Sequence, residues 1–238
     1  MIIELIMLFI FISENLFTTC STEDNACLEK SLTNAIPVLT AGMPSINMKP
    51  LDPMFLDLIE GNLSILKFKF YNTTCLGYKD CVAKNVKLDR ELKSLHAEFH
   101  CPGFQLEGKY EIDGRLVILP VEGKGDYSLS AGKYQLVVDT EMKKTQGADG
   151  KTYLTIKNYK IKSQPQEPLK FDFKNLFNGQ KDLSDAVLKF AHENWAEVAE
   201  LVQDPIFYTA MKIITTNLNK YMKTVPIDEY ISNHSETK

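Results

Sequence analysis

The feature that most constrains this chain is the stretch 61–161, where apolar residues recur at every second position. Leu66, Phe68 and Phe70 alternate with Lys67 and Lys69, and Leu95, Ala97, Phe99 and Cys101 with His96, Glu98 and His100. Phe104, Leu106, Gly108, Tyr110 and Ile112 alternate with Gln105, Glu107, Lys109 and Glu111. Successive side chains of an extended chain point to opposite faces, so this pattern buries one face and wets the other, as in an antiparallel sheet. Asp113-Gly114 and Asp149-Gly150 predict hairpin turns, because tight hairpins need positive φ. Leu116 to Val121 and Tyr134 to Val138 are apolar or nearly so, and Gly123, Gly125 and Gly132 mark bends or bulges. A sheet this long with glycine breaks is expected to curve strongly.

Helical periods flank the sheet. Asp24 is placed to cap a helix running to about Leu39, with Leu28, Leu32, Ile36 and Leu39 on one face and Pro37 near its end. Gly42-Met43-Pro44 stops it. The stretch from Ser45 to Glu60, with Pro50 and Pro53, reads as an irregular connection. After Gly179, Asp182 or Ser184 starts a helix whose stripe is Leu183, Val187, Phe190, Val198 and Leu201, widened by Ala186, Ala191 and Val202. Asp204-Pro205 breaks or kinks it, since proline is tolerated only in a first turn. A second face follows at Ile206, Ala210, Ile213, Ile214, Leu218 and Tyr221. At 1.5 Å per residue the two segments span roughly 55 Å, long for a domain of this size. The fold class is therefore α+β: a short N-terminal helix, then a highly curved antiparallel sheet wrapped around a long, kinked C-terminal helix. Such an elongated core can leave a lengthwise apolar tunnel.

Composition and targeting signals supply the compartment. The 238 residues, 44% of them hydrophobic, suffice for one domain with a large core. Leu5 to Ile12 is an unbroken apolar run followed by Ser13, Glu14 and Asn15. It is too short to cross a bilayer and suits the apolar region of a signal peptide. Residues 1–19 read as that leader and 20–238 as a single hydrophobic-ligand-binding domain. The formal charge is −4 with basic residues dispersed, so no nucleic-acid surface is marked. No other segment has the roughly 18 apolar residues of a membrane span. Five cysteines agree with an oxidising, extracellular setting. Cys20 with Cys27, and Cys75 with Cys81, each close a short loop open to local bridging. The odd count then leaves Cys101 free, although spacing alone fixes no connectivity. Sequons at Asn62, Asn72 and Asn233 fit a secretory route and mark glycosylation sites.

The templates for chemistry fail. His96 and His100 have the spacing of paired helix ligands, but in a strand they stand about 13 Å apart. They read as solvated strand residues. His192-Glu193 begins the zinc-protease pattern, yet Ala196 stands where its second histidine belongs. Gly123-Lys124-Gly125 lacks the Walker spacing and precedes a strand, so it reads as a bend. No Gly-x-Ser-x-Gly elbow occurs. Neither an enzymatic activity nor a cofactor or metal is expected.

Apolar lining is what remains. Candidate tunnel walls are Leu32, Ile36, Phe68, Phe70, Phe99, Phe104, Leu106, Tyr110, Tyr127, Tyr134, Leu136, Phe190, Trp195, Val198 and Leu201. Spacing does not tell a filled interior from a hollow one. The only arginines are Arg90 and Arg115, and Arg115 adjoins an expected turn, so no internal carboxylate clamp is evident. Without such a clamp a neutral guest is favoured over a carboxylate, although a lysine could serve in its place.

These segments match a known family in order. Cys20-x6-Cys27, Ala41-Gly42-Met43-Pro44 and Leu51-Asp52-Pro53-Met54 resemble the N-terminal signature of the takeout and haemolymph juvenile-hormone-binding proteins of arthropods. So do Phe104-Gln105-Leu106-Glu107-Gly108-Lys109-Tyr110, Asp113-Gly114-Arg115-Leu116, Leu119-Pro120 and Gly123-Lys124-Gly125. The most diagnostic piece is Phe173-Lys174-Asn175-Leu176-Phe177-Asn178-Gly179 with Leu183, followed by Glu193-Asn194-Trp195 and Val225-Pro226. The resemblance implies a tubular lipid-binding-like fold with a tunnel for one hydrophobic molecule, and a disulfide between Cys20 and Cys27 near one end. Cys75, Cys81 and Cys101 fall outside the family pattern. The function implied is a secreted haemolymph carrier of a juvenile-hormone-like terpenoid or fatty-acid-like lipid. The rival reading is an extracellular signalling or chemosensory protein acting through a protein receptor, which predicts an exposed apolar patch and no co-purifying lipid.

Overall fold

The computed structural model describes residues 16–232. The leader run Leu5 to Ile12 and the sequon at Asn233 lie outside the described residues.

Helix α1 (Asn25–Ala41) forms where its cap and face predict. The Cys27 N–H donates to Asp24 Oδ1 at 2.9 Å, and Gly42, at φ 82°, ends the helix with its N–H on Leu39 O. Leu28, Ile36 and Leu39 are buried and Leu32 is half-buried. The irregular connection expected as far as Glu60 is shorter: strand β2 (Met54–Asn62) begins directly after Pro53. Its inward Met54, Leu56 and Ile59 are fully buried. Asp57 and Leu58 are both exposed although the register is unchanged from Leu56–Thr73 to Leu58–Tyr71, and this interruption of the alternation hides the strand in the sequence.

The remaining strands are β3 (Leu66–Leu76), β4 (Val82–Leu88), β5 (Ser94–Cys101), β6 (Phe104–Leu116), β7 (Leu119–Ala131), β8 (Tyr134–Gln146), β9 (Thr152–Pro165) and β10 (Leu169–Phe173). They form two antiparallel sheets, ordered β10-β7-β6-β3-β2 and β4-β5-β8-β9. Register shifts at Tyr71/Thr74, Lys84/Lys87 and Glu141/Met142 are bulges, which deepen twist and curve the sheets. Asp149-Gly150 makes its hairpin, with Gly150 at φ 78° and its N–H on Gly147 O. Asp113-Gly114 does not. Both lie within β6, paired to Glu122 and Val121, and the turn falls at Val117-Ile118. Gly114 serves close approach instead: at φ 131°, a Cβ there would sit 2.3 Å from Ile65 O.

Two helices follow, α2 (Lys181–Glu193) and α3 (Trp195–Met222). The break falls at Asn194 (φ −113°, ψ 34°), not at Asp204-Pro205. Asn194 Nδ2 donates to Phe190 O at 2.9 Å, the local side-chain bonding by which asparagine competes with helix, whereas α3 absorbs Pro205 in its interior. With the rotation reset at Asn194 the expected stripe is interrupted, and Leu183 is 46% exposed.

The helices cover the sheet edges. α3 packs on β2 and β10, the two edges of the larger sheet, and on β9; α1 packs on β4, the remaining edge. β1 (Cys20–Ser21) pairs in parallel with β11 (Ile231–Ser232) and ties the ends together. The Cys20–Cys27 disulfide is present. The second disulfide is Cys81–Cys101, so the scheme pairing Cys75 with Cys81 and freeing Cys101 is corrected. Strand register explains it: Val82 pairs with His100, which sets Cys81 opposite Cys101, with Cα atoms 4.1 Å apart. Cys75 faces the core from β3 and is the free thiol.

Candidate functional site

An internal space lies between α1, the inner face of the four-stranded sheet and the C-terminal half of α3. It is a cavity of about 160 Å³. Leu32, Ile36 and Leu39 come from α1, Leu95, Ala97 and Phe99 from β5, Leu136 and Val138 from β8, and Ile156 and Ile161 from β9. Phe207, Met211, Ile214 and Leu218 close it from α3, where their spacing of four, three and four keeps them on one helical face. The polar side chains in the wall are Tyr78, whose ionisation burial raises well above the usual phenol range, and three threonines. Thr40 Oγ1 donates to Ile36 O at 2.8 Å, Thr215 Oγ1 to Met211 O at 2.8 Å and Thr140 Oγ1 to Leu95 O at 3.3 Å. Their protons are spent on backbone carbonyls, so they present methyl groups and lone pairs but no free donor. Apolar cavities of about 150 Å³ stay dry and take small apolar guests.

Two smaller chambers, about 40 Å³ each, continue the space along α3. The middle one is walled by Cys75, Phe104, Leu106, Tyr134, Ala199 and Ile206, the far one by Phe70, Val121, Phe171, Val187, Leu188 and Val198. Tyr78 and Phe207 border both the large and the middle chamber, and Leu129 and Val202 border both the middle and the far one. The partition between the first two is aromatic: Tyr78 to Phe104 is 4.9 Å between ring centroids, Phe104 to Phe207 5.7 Å and Tyr134 to Phe207 5.2 Å. The interior thus holds a series of chambers that share a few side chains as walls. Burial raises the ionisation of Tyr134 well above the usual phenol range, and its hydroxyl donates to Gln203 Oε1 at 2.9 Å.

Of the residues singled out from sequence, Leu32, Ile36, Phe99 and Leu136 line the large chamber. Phe104, Leu106 and Tyr134 line the middle one, and Phe70 and Val198 the far one. Tyr110 and Tyr127 belong to a packed aromatic cluster. Phe70 stacks on Tyr127 at 4.5 Å and lies 4.8 Å from Phe68, and Tyr110 meets Phe173 edge-on at 4.7 Å. Their hydroxyls are engaged by Thr73 at 2.8 Å (Tyr127) and Lys174 O at 2.7 Å (Tyr110). Phe68 packs over Gly61, where a Cβ would fall 2.0 Å from its ring. Phe190, Trp195 and Leu201 flank the α2–α3 break, half-buried and outside the three chamber walls. Sequence reading passed over Leu51, Ile156, Ile161 and Met211; Leu95 was legible only as an inward strand residue, and Ile214 and Leu218 only as a helix face.

Polar groups gather elsewhere. A hollow of about 660 Å³ on the outside of the five-stranded sheet is ringed by Glu60, Lys67, Lys69, Glu111, Asp113, Glu122 and Lys124. It is larger than the internal cavity but open and ringed by charged side chains, hence a poor match for an apolar guest. His96 lies on the outer face of β5, with Nδ1 2.7 Å from Asp139 Oδ1, and His100 Nε2 is 3.6 Å from Glu98. Among the described residues, no three His, Cys, Asp or Glu side chains converge as a metal site. Arg115 donates to Ile118 O at the β6–β7 turn and Arg90 pairs with Glu23 at the surface, so neither guanidinium reaches the interior.

A long helix laid along the edges of two curved antiparallel sheets, with dry apolar space in the seam, defines the class: a carrier of hydrophobic ligands. The chain matches the sequence profile described as Haemolymph juvenile hormone binding protein over residues 5–232, and it belongs to that family. The crystal structure of Takeout 1 from Epiphyas postvittana superposes with a TM-score of 0.86 at 31% identity, over 90% of this chain and 99% of that one. The circadian clock-controlled protein daywake of Drosophila melanogaster is 29% identical over 223 residues, 89% of this chain and 85% of that protein. A putative beta-carotene-binding protein of Schistocerca gregaria is 26% identical over 163 residues, 68% of this chain and 65% of that protein.

Proposed function

We propose that the protein takes one uncharged, apolar molecule, a juvenile-hormone-like terpenoid or related lipid, into the α3–sheet seam and carries it through extracellular fluid such as haemolymph. The observation that carries this is the large chamber: some 160 Å³ with no carboxylate, ammonium, guanidinium or imidazole in its wall, and with its threonine hydroxyls bonded to backbone carbonyls. Burying roughly 300 Å² of apolar ligand surface is worth several kcal/mol at about 25 cal/mol per Å². After the costs of association this supports micromolar to nanomolar affinity. A ligand longer than the first chamber is accommodated by rotation of Tyr78 and Phe207, the walls it shares with the second. The absence of a cation in the chamber walls disfavours a free fatty acid, whose carboxylate would lose hydration without a partner. The name of the Schistocerca gregaria relative, which points to a long polyene, agrees with an apolar guest. Two disulfides and exposed sequons at Asn62 and Asn72 support passage through the secretory route.

Gentle native mass spectrometry of the secreted protein, followed by solvent extraction, tests this. The expected result is a stoichiometric apolar adduct that is lost on extraction. Lipid-free protein that also refuses neutral isoprenoid esters would overturn the reading. That outcome would favour action through a protein partner, for which Phe55 and Leu58, 56% and 46% exposed on β2, are among the exposed apolar side chains.

A further inference from the structure

We propose that α2 is a hinged lid over the far chamber and that His192 is its latch; the inference rests on the reading of the interior as a ligand site. Each of the three helices pins a sheet edge through one side chain. In α1, Thr33 Oγ1 accepts the Ala83 N–H at 3.0 Å and lies 3.4 Å from Ala83 O. In α3, Asn219 accepts the Ile156 N–H at 2.7 Å and donates to Ile156 O at 2.9 Å. Both therefore meet the N–H and the carbonyl of one edge residue. The contact from α2 is single: the Phe171 N–H, on the free edge of β10, donates to His192 Nε2 at 3.0 Å.

Little else holds the helix down. Ser184 Oγ is 3.0 Å from Leu176 O but also 2.9 Å from Gln180 O, and it has one proton for both. The ion pairs Lys181–Asp185 and Lys189–Glu193 are internal to the helix. Only Val187 and Ala191 are buried in α2, against ten residues in α3. A helix of 13 residues is not stable by itself, so α2 depends on this thin contact. Its ends suit a hinge: Asn194 leaves helical geometry before α3, and Gly179 precedes it at φ 86°. Beneath it, Val187, Leu188 and Ala191 form one wall of the far chamber, facing Phe171 and Val198. Lifting α2 opens that chamber to solvent for the loss of one strand-edge hydrogen bond and two buried side chains. Segments of this low local stability are the ones that open first.

The test combines hydrogen-exchange mass spectrometry with stopped-flow release of the uncharged fluorophore N-phenyl-1-naphthylamine, on the full secreted chain and on His192→Phe and Val187→Ala. The α2 amides and the Phe171 amide should exchange together and well before those of α3. His192→Phe should speed both α2 exchange and probe release about fivefold, the worth of one net hydrogen bond. Val187→Ala should speed them about tenfold. Protection of α2 equal to that of α3 overturns the lid, as does probe release unchanged in variants whose α2 exchange has accelerated. If the wild-type chain takes up no probe, the ligand reading falls, and the exchange pattern still decides whether α2 opens.

Discussion

Replacing Ala97 by phenylalanine should remove ligand binding and make the protein more stable. Ala97 is 2% exposed on β5, and its methyl group faces the large chamber. Unfilled apolar volume costs stability at about 24 cal/mol per Å³. The 160 Å³ chamber therefore carries a deficit of about 4 kcal/mol, which a guest relieves on binding. A phenyl ring supplied by residue 97 occupies much of that volume permanently. If it recovers half the deficit, folding gains about 2 kcal/mol, which at this chain length raises Tm by about 4–8 °C. The ring also excludes the guest, so affinity for a neutral isoprenoid ester should fall at least a hundredfold. Calorimetric melting of ligand-stripped protein reads the first effect and fluorescence displacement the second. A variant that melts lower and still binds with unchanged affinity would refute the reasoning, because the volume would be neither hollow nor the binding site.

Other predictions follow from single residues. Burial, with a smaller contribution from the Asp52 charge, pushes the Cys75 thiol up to about 12, so folded protein keeps a proton that the unfolded chain releases from about pH 9. That stabilisation is complete below pH 9 and declines above it, by about 1.4 kcal/mol at pH 10, and Cys75→Ala should flatten this part of a denaturant-midpoint-versus-pH curve. Thiol titration with a disulfide reagent should find no reactive group in native protein and one after denaturation without reductant. Gly114→Ala should cost about 3 kcal/mol because it combines positive φ with a backbone clash, whereas Gly150→Ala, in open space, should cost about 1 kcal/mol; chemical denaturation compares them. Phe17 packs 5.8 Å from Tyr221 and 6.0 Å from Tyr230, so N-terminal sequencing of secreted protein should find Phe17 retained, which would move cleavage ahead of the 1–19 boundary read from the sequence; a mature chain starting at Cys20 would contradict this.

Much of the fold is legible in the sequence because alternation reports directly which face of a strand is wet. Thus β3, β5 and β6 were readable from Phe68, Ala97 and Leu106 with their charged neighbours. β2 was not, since the consecutive exposed residues Asp57 and Leu58 break the period on which the reading depends. The misplaced β6–β7 turn has a related cause: glycine marks both turns and close approaches, and Gly114 is the second kind. Asn194 ends its helix through a side-chain bond to Phe190 O, while Pro205, the stronger breaker in isolation, is carried within α3 by its packing. The Cys81–Cys101 link depends on register between β4 and β5, which sequence separation does not encode. The same limit applied to the site. Tyr127 and Phe99 both belong to inward faces, yet Tyr127 is stacked against Phe70 and Phe99 borders the large chamber. Periodicity identifies inward faces; hollow or filled depends on how side-chain volumes meet across the seam.

A crystal structure of the protein saturated with a neutral isoprenoid ester tests the central claim most directly. Ligand density should lie between α1, β8 and the C-terminal half of α3, in contact with Ala97, Phe99 and Leu218. Density confined to the charged hollow beside Glu60 and Lys124, or an interior still empty at saturation, would contradict it.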